Sequence, residues 1–274
     1  MLWGRQLVMD KFIMSDELMN EGCRHCAALF ITKPSVSFDL NKPAGEFDKS
    51  KIDRNGTITF LQYKNRTYGV TCKHVVDTLR KRNEKLNERE HFIFVTIVKK
   101  VVFHLDRSDK FFFSVFGGKA GDIAFCELPA NFLNAIEKTP INIESCFNPP
   151  DITHAFAFGF PEEKVVREDV EGGHRWVMPC CFAAAKSSSV PEDIKKSGKM
   201  FLYSELDNTP DIDDLSGMSG GPVYWSDENR YGILGITCEA FPLAPNSESI
   251  GDKYKICLKV EMITKSIFDG LSVC

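Results

Sequence analysis

The chain has 274 residues, about 1.8 domains at about 150 residues each, so length leaves either two modest domains or one large β-rich domain. Hydrophobic residues make up 43% of it, enough to bury a core, which excludes a disordered or collagen-like chain. Lys and Arg (34) against Asp and Glu (38) leave a formal charge of −4, with no basic field to neutralise phosphates, so nucleic acid is not an expected partner.

From the N-terminus, the apolar residues of positions 1–11 are interrupted by Arg5, Asp10 and Lys11, so no continuous signal core forms there. No apolar run approaches the roughly 20 residues that span a bilayer. The expectation is a cytoplasmic protein without a membrane partner. Cys23-Arg24-His25-Cys26 has the spacing of half a zinc site, but no second pair of comparable spacing follows. Reduced structural cysteines are expected, and neither a metal nor a cofactor.

Residues 57–63 and 67–72, separated by Lys64-Asn65-Arg66, read as a hairpin. Runs at 91–98, 101–105, 111–116 and 123–128 follow, then 153–160, 176–185, 200–206, 222–225, 231–237 and 253–260. More than ten strand candidates with little helical periodicity predict an all-β sandwich or barrel architecture. Helical pattern is confined to a turn after His74, to residues 130–137 and to residues 260–268. The sign-alternating run 80–90 reads as a solvated loop or short helix. Residues 136–151, with Pro140, Pro149 and Pro150, read as the linker between two β-rich halves.

The most informative segment is Leu215-Ser216-Gly217-Met218-Ser219-Gly220-Gly221-Pro222, just ahead of a strand. Glycines flanking a serine permit a tight path that aims the Gly217 and Ser219 N–H groups at one point, as an oxyanion hole requires. An ordinary Gly/Ser turn is the alternative. A serine nucleophile needs a base held in the right tautomer by a carboxylate. Of six histidines, His74 alone stands where a strand gives way to a short helix; a packed or solvated histidine is the plainer reading of it taken singly. For the carboxylate, Asp122 precedes an apolar strand; Asp77, three residues after His74, is the competitor.

The segments Val70-Thr71-Cys72-Lys73-His74, Gly121-Asp122-Ile123-Ala124 and Gly217-Met218-Ser219-Gly220-Gly221-Pro222, in the order His, Asp, Ser, resemble the signature segments of trypsin-like (chymotrypsin-fold) serine peptidases. The three residues lie 48 and 97 positions apart, against about 45 and about 93 in the chymotrypsin triad. The likeness runs over roughly residues 28–268 and is to single-domain bacterial intracellular members rather than to digestive enzymes.

The resemblance implies two antiparallel six-stranded β-barrels with the active site in the cleft between them and a short C-terminal helix. On this reading residues 1–27 are an N-terminal extension, 28–140 the first barrel half, and 141–274 the second half with the helix. It implies a serine endopeptidase in which His74 takes the Ser219 proton, Asp122 orients the ring, and the Gly217 and Ser219 amides hold the oxyanion. The substrate is then a protein or peptide. A catalytically idle or partner-activated module that binds peptides is the alternative, with an activating or regulatory protein as a further partner.

Asp213 stands where the family keeps its specificity-pocket floor, and Gly235, Ile236 and Thr237 fall on the strand bordering that pocket. A carboxylate at Asp213 implies a basic side-chain preference, against a solvated acidic loop as the alternative; Thr237, where trypsin keeps glycine, narrows the pocket. Met218 replaces the aspartate that zymogen-activated members pair with a new N-terminus, which excludes that activation. Cys72 precedes His74 instead of following it, so a buried thiol is expected there.

Overall fold

The hairpin at the centre of the first half shows how the sequence starts the fold. Lys64 adopts the left-handed backbone (φ 53°) at the first turn position, and Tyr63 pairs with Arg66 across a two-residue turn. In this computed structural model the described residues are 21–33, 52–98, 101–104, 112–116, 119–129, 131–145, 154–161, 166–170, 173–177, 183–186, 199–206, 215–226, 231–243 and 254–271.

Strands β1 (Cys26–Thr32), β2 (Ile52–Tyr63) and β3 (Arg66–Thr71) lead into helix α1 (Lys73–Asn83). Then come β4 (Ile93–Val98), β5 (Val101–His104), β6 (Phe112–Phe116), β7 (Lys119–Glu127), the short helix α2 (Phe132–Ala135) and β8 (Ile141–Asn142). They form one curled sheet in the order β5-β4-β1-β2-β3-β7-β6, antiparallel throughout, with β8 added parallel to β2. The second half holds β9 (His154–Ala157), the separate hairpin β10 (Val166–Val170) and β11 (Gly173–Val177), then β12 (Ala183–Lys186), β13 (Lys199–Leu206), β14 (Pro222–Ser226), β15 (Tyr231–Leu243), β16 (Tyr254–Met262) and helix α3 (Lys265–Leu271). There β12-β13-β16-β15-β14-β9 close into a barrel.

The mostly-β, two-sheet architecture with a short terminal helix is therefore the one expected. Its details differ. The second half is a closed six-stranded barrel, whereas the first is an eight-stranded curled sheet, because β1 and β8 join the six strands legible in the sequence. β1 begins at Cys26, inside the stretch assigned to an N-terminal extension, and β8 lies past residue 140 yet pairs with β2. The linker segment is packed where it is described: Ile136, Ile141 and Ile143 are buried in the core of the first half. The turn after His74 is a full helix, whose Val75, Val76 and Leu79 face inward while Arg80, Lys81 and Arg82 complement the dipole at its last turn.

One hydrophobic core crosses the halves. Leu29, Phe60, Val76 and Phe125 of the first half share it with Phe156, Phe158, Tyr224 and Ile236 of the second. Helix α3 returns to the first sheet, where the Phe268 ring stands 5.3 Å from Tyr68, 5.5 Å from Tyr63 and 5.9 Å from Phe125. A smaller core of Ala155, Val223, Trp225 and Leu258 fills the second barrel. Among the described residues no helix is long and apolar enough to cross a membrane.

Candidate active site

The end of β3 delivers His74. Cys72 is extended (φ −76°, ψ 145°) and its side chain caps nothing, so the first turn of α1 needs acceptors from elsewhere. Asp122 supplies them. One carboxylate oxygen accepts the His74 backbone N–H at 3.0 Å and the other meets the ring Nδ1 at 2.8 Å. An ionised carboxylate only accepts, so Nδ1 carries the proton and, in the neutral ring, Nε2 keeps its lone pair. The His74 side chain is 48% exposed, Asp122 22%. Asp122 is fixed in turn from the second half, its N–H donating to Glu261 Oε1 of β16 at 3.2 Å. Asp77 pairs instead with Lys73 one helical turn before it, which removes it as the ring's partner.

Ser219 sits in the turn before β14, and glycine is required on both sides of it. Gly217 and Gly220 have φ of 93° and 89°, and a Cβ on Gly220 would fall 2.1 Å from the Thr57 carbonyl oxygen. A Cβ on Gly221 would fall 1.9 Å from that of Phe158. Threonines of the first half bolt this turn down. Thr57 donates its N–H to the Ser219 carbonyl at 2.8 Å and its hydroxyl to the Gly217 carbonyl at 2.7 Å. Thr59 donates to the Gly220 carbonyl at 2.7 Å, and Thr71 to the Thr57 carbonyl at 2.8 Å. The Met218 N–H donates to Leu215. The Gly217 and Ser219 N–H groups have no acceptor among the described residues. The Ser219 hydroxyl donates to the Cys238 carbonyl at 2.9 Å.

His74, Asp122 and Ser219 line one cleft of about 500 Å³ with Lys73, Asp77, Leu215, Ser216, Cys238, Glu239 and Ala240. Its charges come in pairs: Lys73 with Asp77, and Glu239 with Lys259 at 2.6 Å. Gly235, Ile236 and Thr237 are not in the cleft wall. They are buried behind the serine turn, where the Thr237 carbonyl accepts the Gly220 N–H at 2.8 Å and its N–H donates to Gly221 at 2.8 Å. The pairing of β15 with β16 slips between Thr237 and Glu239, and this bulge turns the next three residues, Cys238 to Ala240, to the cleft. Asp213 lies outside the described residues.

Sequence reasoning did not find the three threonines, Glu261 or the Cys238 to Ala240 wall. A strand signal running on past Thr237 through Cys238-Glu239-Ala240-Phe241 was the one available clue to the wall. Cys72, His74 and Asp122 have ligand atoms within 4.8 Å of one another. They make a poor metal set: burial pushes the Cys72 thiol well above its ordinary pKa, it donates to the Thr237 carbonyl, and Nδ1 of His74 is committed to Asp122. Cys26 is buried with its thiol directed to the Gly22 carbonyl.

No family model and no curated protein sequence matches the chain. Solved structures similar to it include human heparin binding protein, at 13% identity and a TM-score of 0.44 over 89% of this chain and 91% of that one. A mutant of the same human protein matches at 13% identity and 0.44 over 91% and 92%. A chain from a study of the coupled folding and binding of the Sesbania mosaic virus VPg protein is similar at 10% identity and 0.37, over 85% and 91%. The functional reading therefore rests on the site itself.

Proposed function

We propose that the chain is a serine endopeptidase working through His74, Asp122 and Ser219. The observation that carries this reading is the convergence on one cleft of a carboxylate-held imidazole and a serine whose own amide, like that of Gly217, has no acceptor among the described residues. In the proposed reaction the Ser219 hydroxyl leaves the Cys238 carbonyl and attacks the substrate carbonyl carbon while Nε2 of His74 takes its proton. The Gly217 and Ser219 amides receive the charge gathering on the carbonyl oxygen, a contribution of about 3 to 4 kcal/mol for each well-placed donor. The imidazolium gives its proton to the departing amine, leaving an acyl-enzyme. A water then attacks that ester with His74 as base, and the proton returns to Ser219.

The finer likeness to single-domain bacterial peptidases and the cytoplasmic setting rest on the sequence. So does a preference for Lys or Arg, which depends on Asp213, since the described cleft walls are charge-paired. A peptide-library profile without basic bias removes that preference.

A partner-activated module is the second reading, favoured by one contact: Ser219 donates to Cys238 and not to His74. Fluorophosphonate labelling of the wild type and Ser219→Ala tests both. The peptidase reading expects labelling confined to Ser219. Absence of Ser219-dependent label contradicts a constitutively active enzyme and favours the module.

A further inference from the structure

Two thiols that peptide hydrolysis does not use meet beneath the cleft. Cys72 stands between β3 and α1, two residues before His74, and Cys238 stands at the bulge of β15 in the other half. Their sulfurs are 3.7 Å apart. Cys72 Sγ lies 3.1 Å from the Thr237 carbonyl oxygen and Cys238 Sγ 3.8 Å from that of Asp122. Both are free thiols. Cys238 also touches the machinery through its backbone, since its carbonyl holds the Ser219 hydroxyl, and it lines the cleft.

We infer that Cys72 and Cys238 are an oxidisable dithiol, a modification site where a peroxide closes a disulfide between the two halves and disables Ser219. The loss of Ser219 reactivity rests on the peptidase reading; the disulfide does not.

Both thiols are buried, so the oxidant must be small and uncharged; hydrogen peroxide, neutral and little larger than water, meets that requirement from the cleft that Cys238 helps to wall. The Cys238 sulfur attacks one peroxide oxygen, the O–O bond breaks, and the departing hydroxide leaves as water with the thiol proton. Cys238 is then a sulfenic acid. The Cys72 sulfur attacks the Cys238 sulfur, the S–O bond breaks, and the hydroxyl leaves as water with the Cys72 proton. Two thiols and one peroxide thus give one disulfide and two waters; the sulfur pair loses two electrons and the peroxide gains them.

The sulfurs must close from 3.7 Å to about 2.05 Å. That movement draws on the strand whose carbonyl holds Ser219 and on the residue that starts the His74 helix. A shift of about 1 Å between reacting groups is enough to cost about 10²-fold in rate.

The test treats the whole chain with hydrogen peroxide, blocks the remaining thiols, digests it without reductant and maps cross-linked peptides by mass spectrometry. Fluorophosphonate labelling is followed in parallel. The expected result is a Cys72–Cys238 linked peptide, a fall of about tenfold or more in Ser219 labelling, and recovery with dithiothreitol. Cys72→Ala forms no link and keeps its labelling in peroxide. Finding both thiols blocked, or Cys238 as a sulfinic acid without the link, overturns the dithiol. A link that leaves labelling unchanged overturns its control of Ser219. If Ser219 never labels even before peroxide, the peptidase reading fails, while the wild-type peptide map still decides the dithiol and needs no variant to fold.

Discussion

Asp122 makes two bonds to one residue, holding both the His74 backbone and its ring. Asp122→Asn can accept only one of them, because its amide nitrogen is a donor and must face either the N–H of His74 or Nδ1. If the oxygen keeps the backbone bond, the ring must present an unprotonated Nδ1, and Nε2 then carries the proton that it should be free to accept. The expected loss is about 10⁴-fold in kcat with little change in Tm, measured by steady-state kinetics and thermal unfolding. A loss under tenfold would mean that the pair does not set the ring's tautomer. The members of this site were readable in the sequence because each announces itself locally: glycines around Ser219, a strand end before His74, an apolar strand after Asp122. The residues that hold them were not, because the partners are remote. Thr57 reaches Gly217 across 160 positions, and Glu261 reaches Asp122 across 139.

The threonines of β2 and β3 are where secondary structure becomes site geometry. Thr57 alone bonds two carbonyls of the serine turn and accepts the Phe160 N–H at 3.2 Å. Thr57→Val keeps the shape and removes the hydroxyl, leaving the Gly217 carbonyl and the Phe160 N–H without it. A cost of about 1 to 3 kcal/mol in stability is expected, with slower fluorophosphonate labelling of Ser219; Thr57→Ser restores the labelling. Equal labelling in all three would show that the turn keeps its geometry without this bond. Strand reading failed in instructive places. β1, Cys-Ala-Ala-Leu-Phe-Ile-Thr, is buried along nearly its whole length and so lacks the alternation that marks a half-exposed strand. The run read as one strand over 176–185 is two, β11 ending at Val177 and β12 starting at Ala183 in a different sheet.

Across the whole molecule, α3 ties the end of the second barrel to the first sheet. Phe268→Ala is expected to cost about 3 to 5 kcal/mol, because a large ring shared by Tyr63, Tyr68 and Phe125 leaves a cavity at the join; denaturant unfolding measures it, and a cost below about 1 kcal/mol would mean that α3 contributes nothing to the join. Beside it the Tyr63 hydroxyl donates to the Asp269 carboxylate. That bond raises the Tyr63 pKa from 10.0 to about 12 and holds Asp269 below 3.8. The raised tyrosine stabilises the fold below pH 10 and loses its effect as pH rises through about 12; the lowered carboxylate stabilises it above pH 3.8 and loses its effect as pH falls through its depressed pKa. The gap in Tm between wild type and Tyr63→Phe should therefore be open between those limits and close on both sides. A gap that persists unchanged into acid would mean that the hydroxyl's hydrogen bond, and not the charge on Asp269, sets it.

Length alone left two domains or one large β domain, and the packing decides how the halves relate. His74 and Asp122 belong to the first half and Ser219 to the second, and the halves are joined by a shared core and by the threonine bonds. The claim that this junction is a peptidase site is tested most directly by cleavage itself. A library of unblocked and end-blocked peptides is incubated with wild type and with Ser219→Ala, and the new termini are read by mass spectrometry. The account predicts internal peptide bonds cut by the wild type and none by Ser219→Ala. Equal cutting by both, or none by a wild type that also leaves Ser219 unlabelled, would contradict it.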